Sequence, residues 1–152
     1  LELSHKFDRQ VNIKRTINDH YRRINLAIEK VVKYKCTPAE LWDIVGTPDR
    51  VDWVPGMTEC EFDGEVRTVD LPGAGTIKER ILSRDEATMT MSYSCIESPT
   101  PLEKHLARMA IEADGDGCKF TWTTEILPLA FEPFIEKSID GAIAQIRTMV
   151  ES

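Results

Sequence analysis

Long apolar runs, signal-like segments and clustered cysteines are all missing from this sequence of 152 residues. No run reaches the roughly 18 apolar residues that a membrane-spanning helix needs. The opening segment, LELSHKFDRQ, has no apolar stretch of the kind found in secretory signals, so we expect a cytoplasmic protein. Cys36, Cys60, Cys95 and Cys118 lie far apart in the sequence, and no histidine pair accompanies them. We therefore predict free thiols, no metal site and no cofactor.

Positive charge is also in short supply. The formal net charge is −7, and because residues 1–24 carry +3, the rest of the chain carries −10. A body this acidic disfavours nucleic acid as a partner, since phosphate contacts need clustered Lys and Arg. We interpret residues 1–24 as an N-terminal extension, helical or flexible, that could mediate assembly such as a homodimer. Residues 25–152 are predicted to form one domain.

The longest periodic segment lies near the C-terminus, at residues 129–150. Its apolar residues recur at steps of three and four, which places them on one face of a helix. They are Ile135, Ile139, Ala142, Ile143, Ile146, Met149 and Val150. Pro133 fits the first turn, where its missing N–H costs nothing, whereas Gly141 costs about 1 kcal/mol relative to alanine. Such a helix needs a broad apolar surface to lie against.

The preceding residues predict that surface as an antiparallel sheet. A strand over 25–36 is followed by a helix that starts at the capping box Thr37-Pro38-Ala39-Glu40, and then by a second short helix over 47–53. Further strands are marked by alternating apolar and polar residues. They are predicted over 57–63, 65–71, 76–83, 87–95, 103–113 and 119–127. The fold class is therefore α+β, with a curved antiparallel sheet of about seven strands around a long C-terminal helix and a cavity between them.

The predicted hairpin around Gly73 fixes which side chains share the apolar face of the sheet. Opposite residues of an antiparallel hairpin have a constant sum of residue numbers, here about 146, so Val69 faces Ile77 and Arg67 faces Glu79. Directly opposed Cβ atoms lie about 5 Å apart, and we therefore predict an ion pair between Arg67 and Glu79. Such a pair either fixes the register of the sheet or anchors a ligand.

The same alternation, combined with the apolar face of the helix, gives the residues expected to surround a ligand. They are Arg67, Val69, Ile77, Glu79, Met91, Tyr93, His105, Met109, Trp122, Ile139 and Ile143. Lys30 falls on the inner face of the first strand by the same count. Glu79, His105 and Tyr93 are the candidate catalytic residues: Glu79 or His105 would remove a proton next to a carbonyl, and Tyr93 or Arg67 would stabilise the enolate. Each could equally be a wall residue whose hydrogen bonds are satisfied within the fold.

Five short motifs follow one another in a particular order over residues 25–150. They are Thr37-Pro38-Ala39-Glu40-Leu41-Trp42, Trp53-Val54-Pro55-Gly56, Gly64-Glu65-Val66-Arg67-Thr68-Val69, Glu79-Arg80-Ile81-Leu82 with Asp85, and Phe120-Thr121-Trp122-Thr123. Together they resemble the START-like helix-grip (SRPBCC) superfamily, in its polyketide cyclase/dehydrase and lipid-transport branch. The resemblance implies a seven-stranded sheet around the C-terminal helix, with a hydrophobic cavity for a small molecule.

The resemblance also implies roles for particular residues. The turn over 71–75 is similar to the loop that gates the cavity in plant hormone receptors of this fold. Glu79 falls where those receptors keep a cavity-facing glutamate, and His105 falls where they keep an aromatic residue. Their His-Arg-Leu latch is replaced here by Thr100-Pro101-Leu102, so a hormone-receptor function is not expected.

Two functions remain open at the level of sequence, because folds of this kind host both carriers and enzymes, beside a third possibility, a subunit whose cavity is vestigial and whose N-terminal extension mediates assembly. The first is binding or transport of a small hydrophobic or aromatic ligand, oriented by Arg67 and Glu79. The second is a polyketide cyclase/dehydrase-type enzyme with cyclase, dehydratase or aldol-type chemistry that needs no metal. One ion pair in a largely dry wall would favour the carrier. A hydrogen bond between a histidine and a carboxylate, aimed at open volume, would favour catalysis.

Overall fold

A computed structural model describes residues 27–151 of the chain. The strands are β1 (Ile28–Tyr34), β2 (Cys60–Phe62), β3 (Val66–Leu71), β4 (Gly75–Asp85), β5 (Thr90–Glu97), β6 (Lys104–Asp114) and β7 (Gly117–Leu127), and the α-helices are α1 (Pro38–Val45) and α2 (Glu132–Val150). A single 3-10 turn, Leu129–Phe131, precedes α2 in the segment predicted as helix over 129–150. The strands form one antiparallel sheet in the order β1-β7-β6-β5-β4-β3-β2. The predicted α+β class with seven curved strands and a long C-terminal helix is confirmed. The extension predicted over 1–24 lies outside the described residues, as does the start of the first predicted strand.

Helix α1 begins as the sequence predicts. The Thr37 hydroxyl accepts from the Glu40 backbone N–H at 3.2 Å, and the Glu40 carboxylate accepts from the Thr37 backbone N–H at 2.8 Å, which is a complete capping box. Pro38 occupies the first turn. The helix ends at Gly46, whose N–H donates to the Trp42 carbonyl at 2.8 Å. The capping box thus fixes where the chain leaves β1 and turns back over the sheet.

The prediction of a second short helix over 47–53 is wrong. The chain forms separate turns there, in which Arg50 N–H donates to the Thr47 carbonyl and Val54 N–H to the Val51 carbonyl, each over 3.0 Å. The initiation signal is present, but the segment is too short to propagate a helix once the first turn is closed. The turns place Trp53 in the core instead, where only 3% of its surface is exposed.

Strand β5 begins three residues later than the alternating pattern predicts. Asp85 accepts from the backbone N–H groups of Ala87 and Thr88 at 2.9 and 3.3 Å, which closes a turn in place of a strand. Met89 then takes a positive φ of 52°, a conformation that cannot continue a β ladder. The ladder therefore starts at Thr90, and the apolar residues before it lie in the turn.

The core consists of two apolar clusters. The largest fully buried side chains of the larger cluster include Leu41, Val45, Met91, Met109, Phe120 and Ile146, and the smaller cluster consists of Val51, Met57, Val69 and Ile77. The larger cluster lies under α1 and α2, whereas the smaller one lies at the β3–β4 end of the sheet. The space between them is where a cavity can form.

Helix α2 is attached to the sheet by apolar packing and by polar contacts with β1. Its buried residues are Ile139, Ala142 and Ile146. The Tyr34 hydroxyl donates to the Ile143 carbonyl at 2.9 Å. Lys30, on the inner face of β1 as predicted, lies 2.9 Å from Glu136 and 3.2 Å from Asp140. These contacts hold one edge of the sheet to the helix and leave the opposite side open.

Replacing Gly141 by alanine should stabilise the protein. A Cβ at this position would lie 3.6 Å from the nearest side-chain atom, a carbon of the Pro55 ring, which is an ordinary packing distance. Alanine is favoured over glycine inside a helix by about 1 kcal/mol, so we expect the free energy of unfolding to rise by up to about that amount. Urea denaturation followed by tryptophan fluorescence measures the change. A loss of stability would show that a methyl group at position 141 clashes with its neighbours.

Candidate functional site

Two adjoining chambers lie between the sheet and α2. The inner chamber, of about 80 Å³, lies between the two apolar clusters. The outer chamber, of about 350 Å³, opens beside the β3–β4 turn and the first turn of α2. The residues that line both chambers are Leu71, Ile77, Glu79, His105 and Ile135. The polar side chains of Glu79 and His105 therefore stand at the junction of the two chambers.

The ion pair predicted between Arg67 and Glu79 is confirmed, as is the hairpin register. Arg67 Nε donates to a Glu79 carboxylate oxygen at 2.9 Å, in a place where only 4% of the Arg67 side chain is exposed. Arg67 Nη1 donates to the Pro48 carbonyl at 3.1 Å. The guanidinium also lies over the Tyr93 ring, with its central carbon 4.6 Å from the ring centroid. Arg67 is thus held from three sides.

Glu79 makes fewer hydrogen bonds than Arg67 does. Only one of its carboxylate oxygens is bonded to Arg67, and the other has no partner among the described residues. The pairing of β4 with β5 shifts register between Lys78 and Glu79, and such irregularities re-aim side chains near binding sites. The sheet therefore presents one carboxylate oxygen as a hydrogen-bond acceptor at the junction of the chambers.

His105 fills a gap between β5 and β6. The regular ladder between these strands runs only as far as Tyr93 and Ala107. Beyond that point the Cys95 backbone N–H donates to His105 Nδ1 at 2.8 Å, and the Ser94 hydroxyl donates to the His105 carbonyl at 2.5 Å. The imidazole therefore replaces a missing hydrogen bond of the ladder, and its ring orientation is fixed by the backbone.

The Cys95 contact decides the protonation state of His105. Because Nδ1 accepts a hydrogen bond, the proton of the neutral ring lies on Nε2. Burial lowers the pKa of His105, and Arg67 lowers it further, while the negative charge of Glu79 raises it. His105 is therefore a neutral hydrogen-bond donor. This argues against the role predicted for it as a general base, because its accepting nitrogen is already occupied.

Tyr93 and Trp122 add two more buried donors. Burial raises the pKa of Tyr93, the negative charge of Glu79 raises it further, and Arg67 and Trp122 lower it; the net shift is upward. The phenol therefore stays protonated. The Trp122 indole N–H comes close enough to Tyr93 to affect this pKa, yet it makes no hydrogen bond of acceptable geometry within residues 27–151. It lines the inner chamber as a buried donor without an acceptor.

Most of the residues predicted to surround a ligand line these chambers. They are Arg67, Val69, Ile77, Glu79, Tyr93, His105, Trp122 and Ile139. Met91 and Met109 do not: they are paired directly across β5 and β6 and are 1% and 2% exposed, within the larger apolar cluster. Ile143 does not either, because it lies one turn beyond Ile139 along α2 and packs against the core.

The chambers are also lined by residues outside the set predicted to surround a ligand. Leu71, Gly73 and Ala74 belong to the turn over 71–75 that the resemblance implies as the gate. The others are Val51, Trp53, Val54, Met57, Cys95, Ser98, Thr100, Leu102, Thr124, Ile126, Phe131, Phe134, Ile135, Ser138 and Ala142. Many lie in turns and loops, where no periodic pattern marks them. One available signal was Phe134, a large apolar residue that falls outside the regular stripe of α2 and is 36% exposed.

Within residues 27–151, no cluster of three or more His, Cys, Asp or Glu side chains is arranged to hold a metal ion. The four cysteines are free thiols. None of the described helices combines the length and the apolar character needed to cross a membrane. The polar groups available to the site are thus one ion pair, the neutral donors of Tyr93, His105 and Trp122, and the hydroxyls of Ser98, Thr100, Thr124 and Ser138; the rest of the lining is apolar.

Residues 25–151 match a family model described as polyketide cyclase / dehydrase and lipid transport. No curated protein matches the chain in sequence. The fold is similar to that of the protein XoxI from Bacillus cereus, at 16% identity and a TM-score of 0.75 over 83% of this chain and 96% of that one. A START superfamily protein from Mycobacterium smegmatis (12% identity, TM-score 0.68) matches over 82% of this chain and 97% of its own. Ara h 8.0201 (21% identity, TM-score 0.67) has the same coverage, 82% and 97%. At these identities the likeness shows a shared fold.

Proposed function

The chain belongs to the polyketide cyclase/dehydrase and lipid transport family, and on that premise we propose that it binds or carries a small hydrophobic or aromatic molecule. The site is the pair of chambers between the sheet and α2. The observation that carries the proposal is the outer chamber, whose volume of about 350 Å³ falls within the range of small-molecule sites. Its lining is mostly apolar, with a few polar side chains that include Glu79 and His105 at the inner end, as in sites that orient an apolar ligand.

Entry to the outer chamber would pass the turn between β3 and β4. Leu71 to Ala74 form a type II turn, in which the Ala74 N–H donates to the Leu71 carbonyl at 2.9 Å and Gly73 has a φ of +84°. The turn rests on α2, because a Cβ at Gly73 would come within 2.9 Å of the Phe134 ring. We assign this turn and Phe134 as the gate of the site.

A polyketide cyclase/dehydrase-type enzyme is the second candidate, and one observation favours it. Glu79, with an unbonded carboxylate oxygen, lines the same inner chamber as the protonated phenol of Tyr93. Glu79 would act as the base and Tyr93 as the donor to an enolate. The carrier is better supported, because Glu79 already accepts from Arg67 and because His105 offers no basic nitrogen to the cavity.

Filling the outer chamber should weaken binding without unfolding the protein. Ala74 lines this chamber, so in Ala74→Trp an indole would occupy space that a ligand needs. We expect the neutral fluorescent probe N-phenyl-1-naphthylamine to bind at least about tenfold more weakly, the equivalent of roughly 1.4 kcal/mol. Titration of probe fluorescence measures the affinity, and circular dichroism checks the fold.

The matched control is Ala144→Trp, which adds the same side chain at an exposed position of α2. This variant should bind the probe as the wild type does. Equal probe affinity in both variants and the wild type would show that the probe does not use the outer chamber. Native mass spectrometry of protein purified from its own source would then identify any small molecule that it retains.

A further inference from the structure

We infer that the molecule bound here is uncharged and presents a hydroxyl group to Glu79 and His105, and that the site rejects carboxylates. This inference rests on the proposed function, since it concerns the ligand of the same chambers. It excludes fatty acids and other organic acids as ligands. It favours hydroxylated aromatic or alicyclic molecules whose remaining surface is apolar.

The charge balance of the chambers is the first argument. Of the described residues that line the two chambers, only Arg67 and Glu79 carry a full charge, and they neutralise each other at 2.9 Å. A ligand carboxylate would need a free cation, but Arg67 already donates to Glu79 and to the Pro48 carbonyl. It would also meet the unbonded oxygen of Glu79, and two carboxylates without a cation between them repel each other strongly in a buried site.

The arrangement of donors and acceptors is the second argument. At the junction of the chambers, Glu79 offers an acceptor oxygen and His105 offers the Nε2 donor. A hydroxyl group both donates and accepts, so one hydroxyl can satisfy Glu79 and His105 together. A carboxylate can only accept, and a methyl group can do neither.

The inner chamber supplies a further, independent feature. The Trp122 N–H is buried there without an acceptor from the described residues, and buried donors are normally satisfied. The volume of about 80 Å³ admits a small polar group or a few water molecules. A second oxygen on the ligand, such as a carbonyl, or a water molecule carried beneath the hydroxyl would complete this donor.

Three naphthalenes of similar size separate the possibilities: 2-naphthol, 2-methylnaphthalene and 2-naphthoate. Isothermal titration calorimetry at pH 7 should show 2-naphthol binding about tenfold or more tightly than either of the others, since hydrogen bonds to a site built for them discriminate at this level or above. Equal affinity for 2-methylnaphthalene would overturn the hydroxyl requirement. Equal or tighter binding of 2-naphthoate would overturn the exclusion of carboxylates.

The same titration distinguishes failure of the inference from failure of the proposed function. If none of the three naphthalenes binds while N-phenyl-1-naphthylamine does, the inference is wrong and the proposed function stands. If that probe does not bind either, the proposed function fails, and the inference fails with it.

Glu79→Gln gives the sharpest form of the test. The substitution removes the negative charge and leaves the buried Arg67 without a counterion, so 2-naphthoate should now bind at least about tenfold more tightly than it binds the wild type. Unchanged exclusion of 2-naphthoate in a folded Glu79→Gln protein would contradict the charge-balance argument.

His105→Asn is the second variant, needed in case Glu79→Gln does not fold. The asparagine oxygen can take the place of Nδ1 and accept from the Cys95 N–H, while the donor at Nε2 is lost. We expect 2-naphthol to bind about tenfold more weakly and 2-naphthoate still to be excluded. If His105→Asn bound 2-naphthol as tightly as the wild type does, His105 would not be a hydrogen-bond donor to the ligand.

Discussion

Replacing Arg67 by leucine should lower the free energy of unfolding by about 3–5 kcal/mol, the cost of removing one partner of a buried ion pair. The Glu79 side chain is 13% exposed and bonded to Arg67, so the substitution leaves its charge largely buried and unpaired. The Pro48 carbonyl loses a donor as well. Urea denaturation at pH 7, followed by tryptophan fluorescence, measures the effect. It would rank among the largest for any single substitution in this chain.

The double variant Arg67→Leu with Glu79→Gln separates the charge from the packing. A buried ion pair can often be replaced by neutral side chains with little loss of stability, so the double variant should regain most of what the single variant loses. It should fold yet lose ligand binding, because the polar anchor is gone. A single variant as stable as the wild type would show that the unpaired Glu79 charge costs the fold little. A double variant that keeps full probe affinity would show that the pair does not anchor the ligand.

The ion pair could be predicted from sequence because its geometry is local. Pro72 and Gly73 specify a tight turn, and no bulge interrupts the pairing of β3 with β4 on either side of it. Counting outward from the turn therefore places Arg67 opposite Glu79 without any knowledge of the rest of the fold. The capping box of α1 was predictable for the same reason, since all of its contacts lie within four residues.

The extent of the cavity could not be predicted, because it depends on contacts between distant parts of the chain. Met91 and Met109 share the inner face with Tyr93, as alternation predicts, but they are buried in the larger apolar cluster, at a distance from the chambers. Alternation gives the face of a side chain and not its position along the sheet. The late start of β5 likewise depends on the Asp85 side chain, which closes a turn in a segment that alternates perfectly.

The position of His105 in the strand gap has no sequence signal at all. Alternation predicts that it faces inward, and it does line the chambers. The separation of β5 from β6 beyond Tyr93 is a tertiary feature that no periodicity records. Alternation alone makes the imidazole a candidate base. In the gap between β5 and β6, however, the Nδ1 atom of His105 accepts a hydrogen bond from Cys95, and its Nε2 atom is left as a donor.

Replacing His105 by leucine should therefore cost about 1–3 kcal/mol of stability, because the Cys95 N–H is left without an acceptor in a partly buried place. His105→Asn should cost distinctly less, since its side-chain oxygen can restore that hydrogen bond. Thermal or urea denaturation of the two variants at pH 7 makes the comparison. If asparagine and leucine destabilise equally, the bridge between β5 and β6 does not depend on an acceptor at this position.

The acid sensitivity of the fold should also depend on His105. Its pKa is lowered in the folded state by burial and by Arg67, against the opposing charge of Glu79, so below about pH 6.5 the unfolded chain binds a proton that the folded chain does not. Stability should thus fall as the pH drops below about 6.5, towards the lowered pKa of the folded state. In His105→Asn this contribution is absent, whereas the carboxylates of the chain still contribute as in the wild type. Urea denaturation at pH 7.0 and 5.5 should therefore show a smaller loss in the variant, and equal losses would mean that His105 titrates freely in the folded protein.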